Sequence, residues 1–283
     1  MANREEDPLT PLVDEYMLKR DKPEFRKLRI GEVKVDLLPR VRPPGRLSPS
    51  KICGCERQAV FAFLGVKGAT RVDPELENVA ESGTWLHLKW GFRFQDMERV
   101  LGSDRFQCLS LEESISIPSL LVAGSLDTVL YLKIRNRMRK VVLDVKTITR
   151  RGFDWIYQKR EPKEAHVKQL LAYMKAKRIR RGILLYECRD DGRFYCFYVE
   201  FGKEEWVEVS EWCKRIISKM EKQELPRMHP ECEHGKFLYD TCPWRQLCWG
   251  RKTNDDKVER QVYEGFPGVE ILWQRGNELA IEN

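Results

Sequence analysis

The sequence predicts an α/β fold in which a mixed sheet is flanked by helices, and three observations predict it. Between residues 124 and 147, GSLDTVLYLKIRNRMRKVVLDVKT, two runs rich in β-branched and aliphatic residues flank a basic, non-periodic tip, which is the pattern of a β-hairpin. A helical stretch over 162–177 separates this hairpin from an apolar run at 182–188, the arrangement of a crossover between strands of one sheet. Long helical patterns at 74–101 and 204–223 bracket the strands and supply the layers that cover them.

Taken in order, residues 1–47 carry scattered charges and only short apolar patches. They read as a loosely structured basic arm, with Arg40, Arg42 and Arg46 set among Pro39, Pro43, Pro44 and Pro49. The main domain is expected over 48–250. Its first helix opens at Ser48 or Ser50 as N-cap and runs to Phe63, carrying Cys53, Cys55 and Arg57. The helix over 74–101 contains Gly83-Thr84-Trp85-Leu86-His87. Gly83 costs it up to about 1 kcal/mol relative to alanine, which suggests close approach of another backbone. A strand over 111–117 and the two hairpin arms follow, then an irregular basic and aromatic loop over 148–159. The helix over 162–177 carries His166, Gln169 and Tyr173, the last two on one face. Residues 182–188 and 193–201 read as strands turning at Asp190-Asp191-Gly192, and a tail over 251–283 ends the chain.

Composition narrows the class. A chain of 283 residues can bury a sizeable core, as one large domain or two small ones. A net charge of +7 and a pI near 8.9 favour a polyanionic partner. No apolar run approaches the roughly 20 residues of a membrane span, so no membrane partner is expected. The opening MANREEDPLT is unlike a secretory signal. Nine cysteines without one point to a reducing, cytoplasmic setting, where thiols stay free or bind metal.

The chemistry centres on the hairpin. Asp144 and Lys146 are two residues apart and share a strand face. If the chain turns near Asn136, Asp127 lies opposite Lys146 and diagonal to Asp144, within about 5–8 Å. Adjacent carboxylates resist ionising together and one lysine compensates only in part. A divalent cation would resolve the conflict, whereas a solvated salt-bridge ladder is the plainer outcome. His87, beside Trp85 and Trp90, is either a packed side chain or a ligand.

The cysteines divide into two groups. Cys108, Cys188, Cys196 and Cys213 fall in regular elements and read as small buried residues. Cys232, Cys242 and Cys248 sit in the turn-rich ECEHGKFLYDTCPWRQLCWG, the form of a metal-binding knuckle. A fourth ligand comes from His234, which makes a local zinc site, or from Cys55 or Cys53 at the far end of the chain. In the distant case metal affinity becomes folding free energy. Two basic clusters offer phosphate contacts or a solvated face: Lys133, Arg135, Arg137, Arg139 and Lys140 at the hairpin tip, and Lys175, Lys177, Arg178, Arg180 and Arg181 after the Gln169 helix. Phe153, Trp155 and Tyr157, beside Arg150 and Arg151, suit stacking on unpaired bases or packing of their own loop.

Together, Gly83-x-x-x-His87, Gly124-Ser-Leu-Asp127, Asp144-Val-Lys146 and Gln169-x-x-x-Tyr173 resemble, in order and spacing, the RecB-like branch of the PD-(D/E)XK nucleases. Cys55 followed by Arg57, with Cys232, Cys242 and Cys248, is similar to the iron–sulphur version of that branch. The CRISPR-associated iron–sulphur exonucleases and AddB-type nuclease domains belong to it. One departure is that relatives show C-x2-C-x5-C, whereas here Cys232 lies ten positions before Cys242. The resemblance implies a restriction-endonuclease-like fold and a metal-dependent deoxyribonuclease, an exonuclease on single-stranded or frayed ends in recombination, repair or replication. It implies His87, Asp127, Asp144 and the Val145 carbonyl as ligands of magnesium or manganese, with Lys146 acting on the attacking water and Gln169 and Tyr173 positioning the site. It further implies a 4Fe-4S cluster on Cys55, Cys232, Cys242 and Cys248, with zinc as the alternative metal. DNA is the implied partner, with a helicase or CRISPR adaptation proteins as companions. No G-x-x-x-x-G-K-[ST] loop is present, so a motor would come from another chain. The rival reading is a non-catalytic DNA-binding adaptor that keeps the fold.

Overall fold

The structure, a computed structural model, describes residues 2–3, 7–20, 45–66, 74–222, 224–232, 242–245 and 248. The elements run in chain order as β1 (Ala2–Asn3), α1 (Thr10–Lys19), α2 (Glu56–Phe63), α3 (Pro74–Leu101), β2 (Phe106–Ile117), β3 (Val122–Ile134), β4 (Arg137–Ile148), α4 (Arg150–Lys159), α5 (Glu164–Lys177), β5 (Arg181–Cys188), β6 (Phe194–Glu200) and α6 (Lys203–Glu221). They form one mixed sheet in the order β1-β6-β5-β4-β3-β2. Among the described strand pairs only β4–β5 is parallel, and α4 and α5 lie in the crossover between the two strands.

Alternation along β4 divides its side chains between two cores. Val141, Leu143 and Val145 face α1 and α3, together with Leu130, Leu132, Ile183 and Leu185. Val142 turns the other way, to α5 and its Leu170, Leu171 and Met174, with Leu184 and Tyr186. Asp144 and Lys146 have the parity of Val142 and so belong to the α5 face. A third cluster joins α2, α6 and Cys248.

The long helix α3 lies on the sheet through Leu86, Trp90, Phe94, Met97 and Leu101, spaced by three and four as one helical stripe requires. Its rotation is fixed by a buried acid. Glu187 of β5 accepts from Trp90 Nε1 at 2.8 Å and pairs with Lys89. Packing of α5 on β5 depends on Gly182, where an added Cβ would meet Leu170 Cδ2 at 2.7 Å and Met174 Sδ at 2.8 Å.

Several expectations are corrected. Within the stretch expected to be a loose arm, α1 docks on α3 through Leu12, Val13 and Tyr16, with Tyr16 Oη donating to Asp96 at 2.9 Å. The helix expected from Ser48 is instead a 3-10 turn at Pro49–Lys51 followed by α2. Cys53 at φ +57 interrupts the path and leaves Cys55 as the α2 N-cap. The expected loop over 148–159 is α4. Thr149 caps it, its Oγ1 accepting from Gly152 N at 3.3 Å, and Phe153 and Ile156 form its buried side. Gly83 marks no tight approach, because a Cβ there would meet only Thr147 Cγ2 at 3.9 Å. His234 and the tail over 251–283 lie outside the described residues.

Candidate metal centre where the sheet opens

The hairpin turns on Arg135 and Asn136, both at positive φ as a primed two-residue turn requires. Register then runs from Ile134↔Arg137 to Thr128↔Leu143 and stops. The expected facing of Asp127 with Lys146 is therefore out by two positions, since continuing the ladder would bring Asp127 to Asp144. Beyond Thr128 the strands part. A side chain completes the pairing there, with Asp127 Oδ2 accepting from Val145 N at 2.7 Å. The site occupies this opening.

Six predicted side chains meet here. Lys146 Nζ donates to Asp144 Oδ1 at 3.1 Å and to Gln169 Oε1 at 2.9 Å, and Gln169 Nε2 donates to Tyr173 Oη at 2.7 Å. Asp144 Oδ2 is 2.8 Å from Lys146 Nζ but outside hydrogen-bonding angles. It is buried with no hydrogen-bond partner. On the other side of Asp127, His87 Nδ1 lies 3.3 Å from Asp127 Oδ1. Val145 turns its side chain into the α3 core and commits its N–H to Asp127.

Glu112 of β2 was not foreseen. Leu111 pairs with Thr128 and Glu113 with Leu126, which sets Glu112 beside Asp127. Its Oε1 lies 3.7 Å from His87 Nδ1. His87, Glu112 and Asp127 each offer an atom within 4.8 Å of the other two, so these three can ligate one ion. Glu112 sits at φ +49, an uncommon conformation for a residue with a side chain and one that clusters at functional sites. Adjacent glutamates on a strand point to opposite faces. One of Glu112 and Glu113 therefore had to face Asp127, but only the strand register says which.

The electrostatics of the opening are unbalanced. Asp144 is 1% exposed, and burial pushes its carboxyl up to about 7, with Asp127 adding to the rise and Lys146 and His87 opposing it. Burial acts against the His87 imidazolium, but hydrogen bonding to Asp127 and Glu112 outweighs it and holds His87 up at about 10.

The cysteines named at the two ends of the chain also meet. Cys55, Cys232, Cys242 and Cys248 are buried. Burial raises Cys232, as do neighbouring Cys55 and Cys242. Cys248 is pushed up to about 11, mainly by burial and further by Cys242 and Cys55, while Arg57 opposes. Trp244 docks this segment on α2, its ring 6.0 Å from Phe61 and its Nε1 donating to Val66 O at 2.9 Å. Cys53 faces Lys168, Glu208 and Cys213 instead. Of the aromatic trio, Phe153 is buried, Tyr157 packs on Phe153 and Tyr195, and Trp155 stands about half exposed.

No protein-family model and no curated protein matches the chain. Among solved structures it is similar to an alkaline exonuclease (LHK-Exo) from Laribacter hongkongensis, with a TM-score of 0.44 and 11% identity over 63% of this chain and 89% of that one. The same exonuclease in complex with dAMP gives a TM-score of 0.38 and 14% identity over the same shares of the two chains. SSO0001 gives a TM-score of 0.39 and 17% identity, over 84% of this chain and 95% of that one. At these scores and identities the likenesses carry no weight for function.

Proposed function

We propose that the chain is a divalent-metal-dependent DNA nuclease of the PD-(D/E)XK kind, hydrolysing phosphodiester bonds as an exonuclease on single-stranded or frayed ends. One observation carries the reading. Asp144 is a buried carboxyl whose Oδ2 accepts no hydrogen bond, set beside a second carboxylate and the Lys146 ammonium, while the protonated His87 is shared between Asp127 and Glu112. A protein gains nothing in stability from that cluster by itself, since burying charge without full compensation is costly. A cation supported by Asp127, Asp144, His87 and the Val145 carbonyl, with Glu112 as a further ligand, would remove the imbalance. The donors present fit it: hard oxygens suit magnesium, and the imidazole makes manganese a credible substitute.

When bound, the metal would lower the pKa of a water and neutralise charge developing on the phosphate. The chain's own groups supply the rest. Lys146 presents a third N–H beyond those given to Asp144 and Gln169, which suits it to orienting the attacking water. Gln169 fixes the ammonium, and Tyr173 fixes Gln169.

Cys55, Cys232, Cys242 and Cys248 are proposed to hold a 4Fe-4S cluster that clasps α2 to the C-terminal segment. Arg57 Nη1, buried without a partner, is a donor that cluster sulphides would accept from.

The test is cleavage of 5′- and 3′-labelled single- and double-stranded DNA with magnesium, manganese or chelator, comparing wild type with Asp144→Ala. Metal-dependent shortening by wild type alone is the expected result. Equal cleavage by the variant, or none by wild type with either metal, refutes the reading.

A further inference from the structure

One histidine beside the site has no part in the mechanism above. His166, Gln169 and Tyr173 lie at i, i+3 and i+7 along the inner stripe of α5. Gln169 holds Lys146, so His166 stands one turn nearer the helix N-terminus, over the C-terminal ends of β4 and β5. There Tyr186 pairs in register with Lys146. The imidazole is only half buried, and its Nδ1 is 2.8 Å from Tyr186 Oη.

The protonation of that ring follows from its partner. Tyr186 is fully buried, and its oxygen accepts from Lys163 N at 3.1 Å. If it also accepted from His166, the buried phenolic hydrogen would have no acceptor among the described residues, a costly outcome. The phenol therefore donates to Nδ1, and the imidazole carries its proton on Nε2. The ring stays neutral, because burial first, and then the Lys146 and Lys163 ammoniums, hold its pKa down to about 3. Nε2 has no hydrogen bond of its own among the described residues.

We infer that His166 is a substrate-binding residue, offering a neutral Nε2–H to a phosphate oxygen of the strand entering the site, with Tyr186 as the positioning residue that fixes its tautomer. The inference rests on the nuclease reading for the identity of the strand. A neutral donor suits this place. It adds no cation to compete with the metal for the carboxylates, yet a hydrogen bond to a charged phosphate oxygen contributes more than one between neutral groups.

Three measurements test it on the full chain. Long-range ¹H–¹⁵N spectra of histidine-labelled protein near neutral pH should show His166 as the Nε2–H tautomer, with Tyr186→Phe shifting it toward a mixture. Affinity for a single-stranded oligonucleotide in calcium should fall about tenfold or more in His166→Ala and recover in part in His166→Gln. Under magnesium, KM should rise while kcat changes little. A protonated or Nδ1–H ring, or unchanged affinity in His166→Ala, overturns the inference; so does a loss confined to kcat. If wild type binds the oligonucleotide but never cleaves it, the nuclease reading falls while the tautomer and affinity measurements still decide the role of His166.

Discussion

Replacing Asp144 by asparagine should stabilise the metal-free protein, the opposite of what loss of an ion pair ordinarily does. Burial lifts the Asp144 carboxyl from 3.8 to about 7, so the folded state resists its ionisation. An acid whose folded pKa lies above its unfolded value costs nothing well below pH 4. The cost grows between about pH 4 and 7 and is constant above. Three pKa units at about 1.4 kcal/mol each set an upper bound near 4 kcal/mol. Part of this is offset. Lys146, with its side chain 17% exposed, loses a carboxylate partner but keeps Gln169 and an amide oxygen in the same place. The net gain at pH 8 should be about 2 kcal/mol, or about 6 °C in Tm for a domain of this size. His87 acts in a different window, stabilising below 6.5 and losing that contribution as pH rises to about 10. Thermal melts of wild type and Asp144→Asn in chelator, at pH 4 and pH 8, separate the two effects. The variant should gain at pH 8 and gain little at pH 4. Excess magnesium or manganese should then raise the Tm of wild type alone, reversing the order. A variant less stable than wild type in chelator at pH 8 would refute the claim that the opening is electrostatically incomplete without its cation.

Lys146→Ala should lower the cleavage rate by about 10²–10⁴ while binding of DNA in calcium is retained, as single-turnover and filter-binding assays will report. Cys248→Ser, at a position packed against α2 and α6, should bleach visible absorbance and lower Tm by several degrees. A colourless wild type with stoichiometric zinc refutes the iron–sulphur assignment. Glu112→Gln should weaken manganese binding about five- to tenfold by calorimetry, because a charged oxygen donor is lost from the group around His87; unchanged affinity removes Glu112 from the ligand set.

What was legible in the sequence was what strand and helix periodicity alone decide. The bounds of α3 and the existence of the β3–β4 hairpin follow from apolar spacing, and the two-residue separation of Asp144 and Lys146 places them on one face. Gln169 and Tyr173 share a stripe for the same reason. What was missed depends on backbone conformation or on register. The basic residues and Gly152 hid the buried side of α4, Phe153 and Ile156, behind an apparent loop. Prolines elsewhere in the first 47 residues masked the apolar stripe of α1. The facing of Asp127 shifted by two residues because the turn uses Arg135 and Asn136, whose left-handed backbone is less expected of arginine than of asparagine. Glu112 needed the register of a neighbouring strand, which no local pattern encodes.

The same register rearranges the charge. Asp127 lies seven residues from Ile134 along β3, about 23 Å at strand rise, so the basic hairpin tip stands far from the carboxylates. Arg181 begins β5 one position before Gly182, which pairs with Val142, and Tyr198 feels both Arg181 and Arg135. The two basic clusters therefore approach each other at one end of the sheet, and the metal site opens at the other. Lys177 leaves the set by pairing with Glu113, and Lys175 stands over Trp206. Cations placed this way attract a polyanion to the molecule without neutralising Asp127 and Asp144. The carboxylates stay under-compensated, and that is the condition under which a divalent cation, rather than a lysine, completes them.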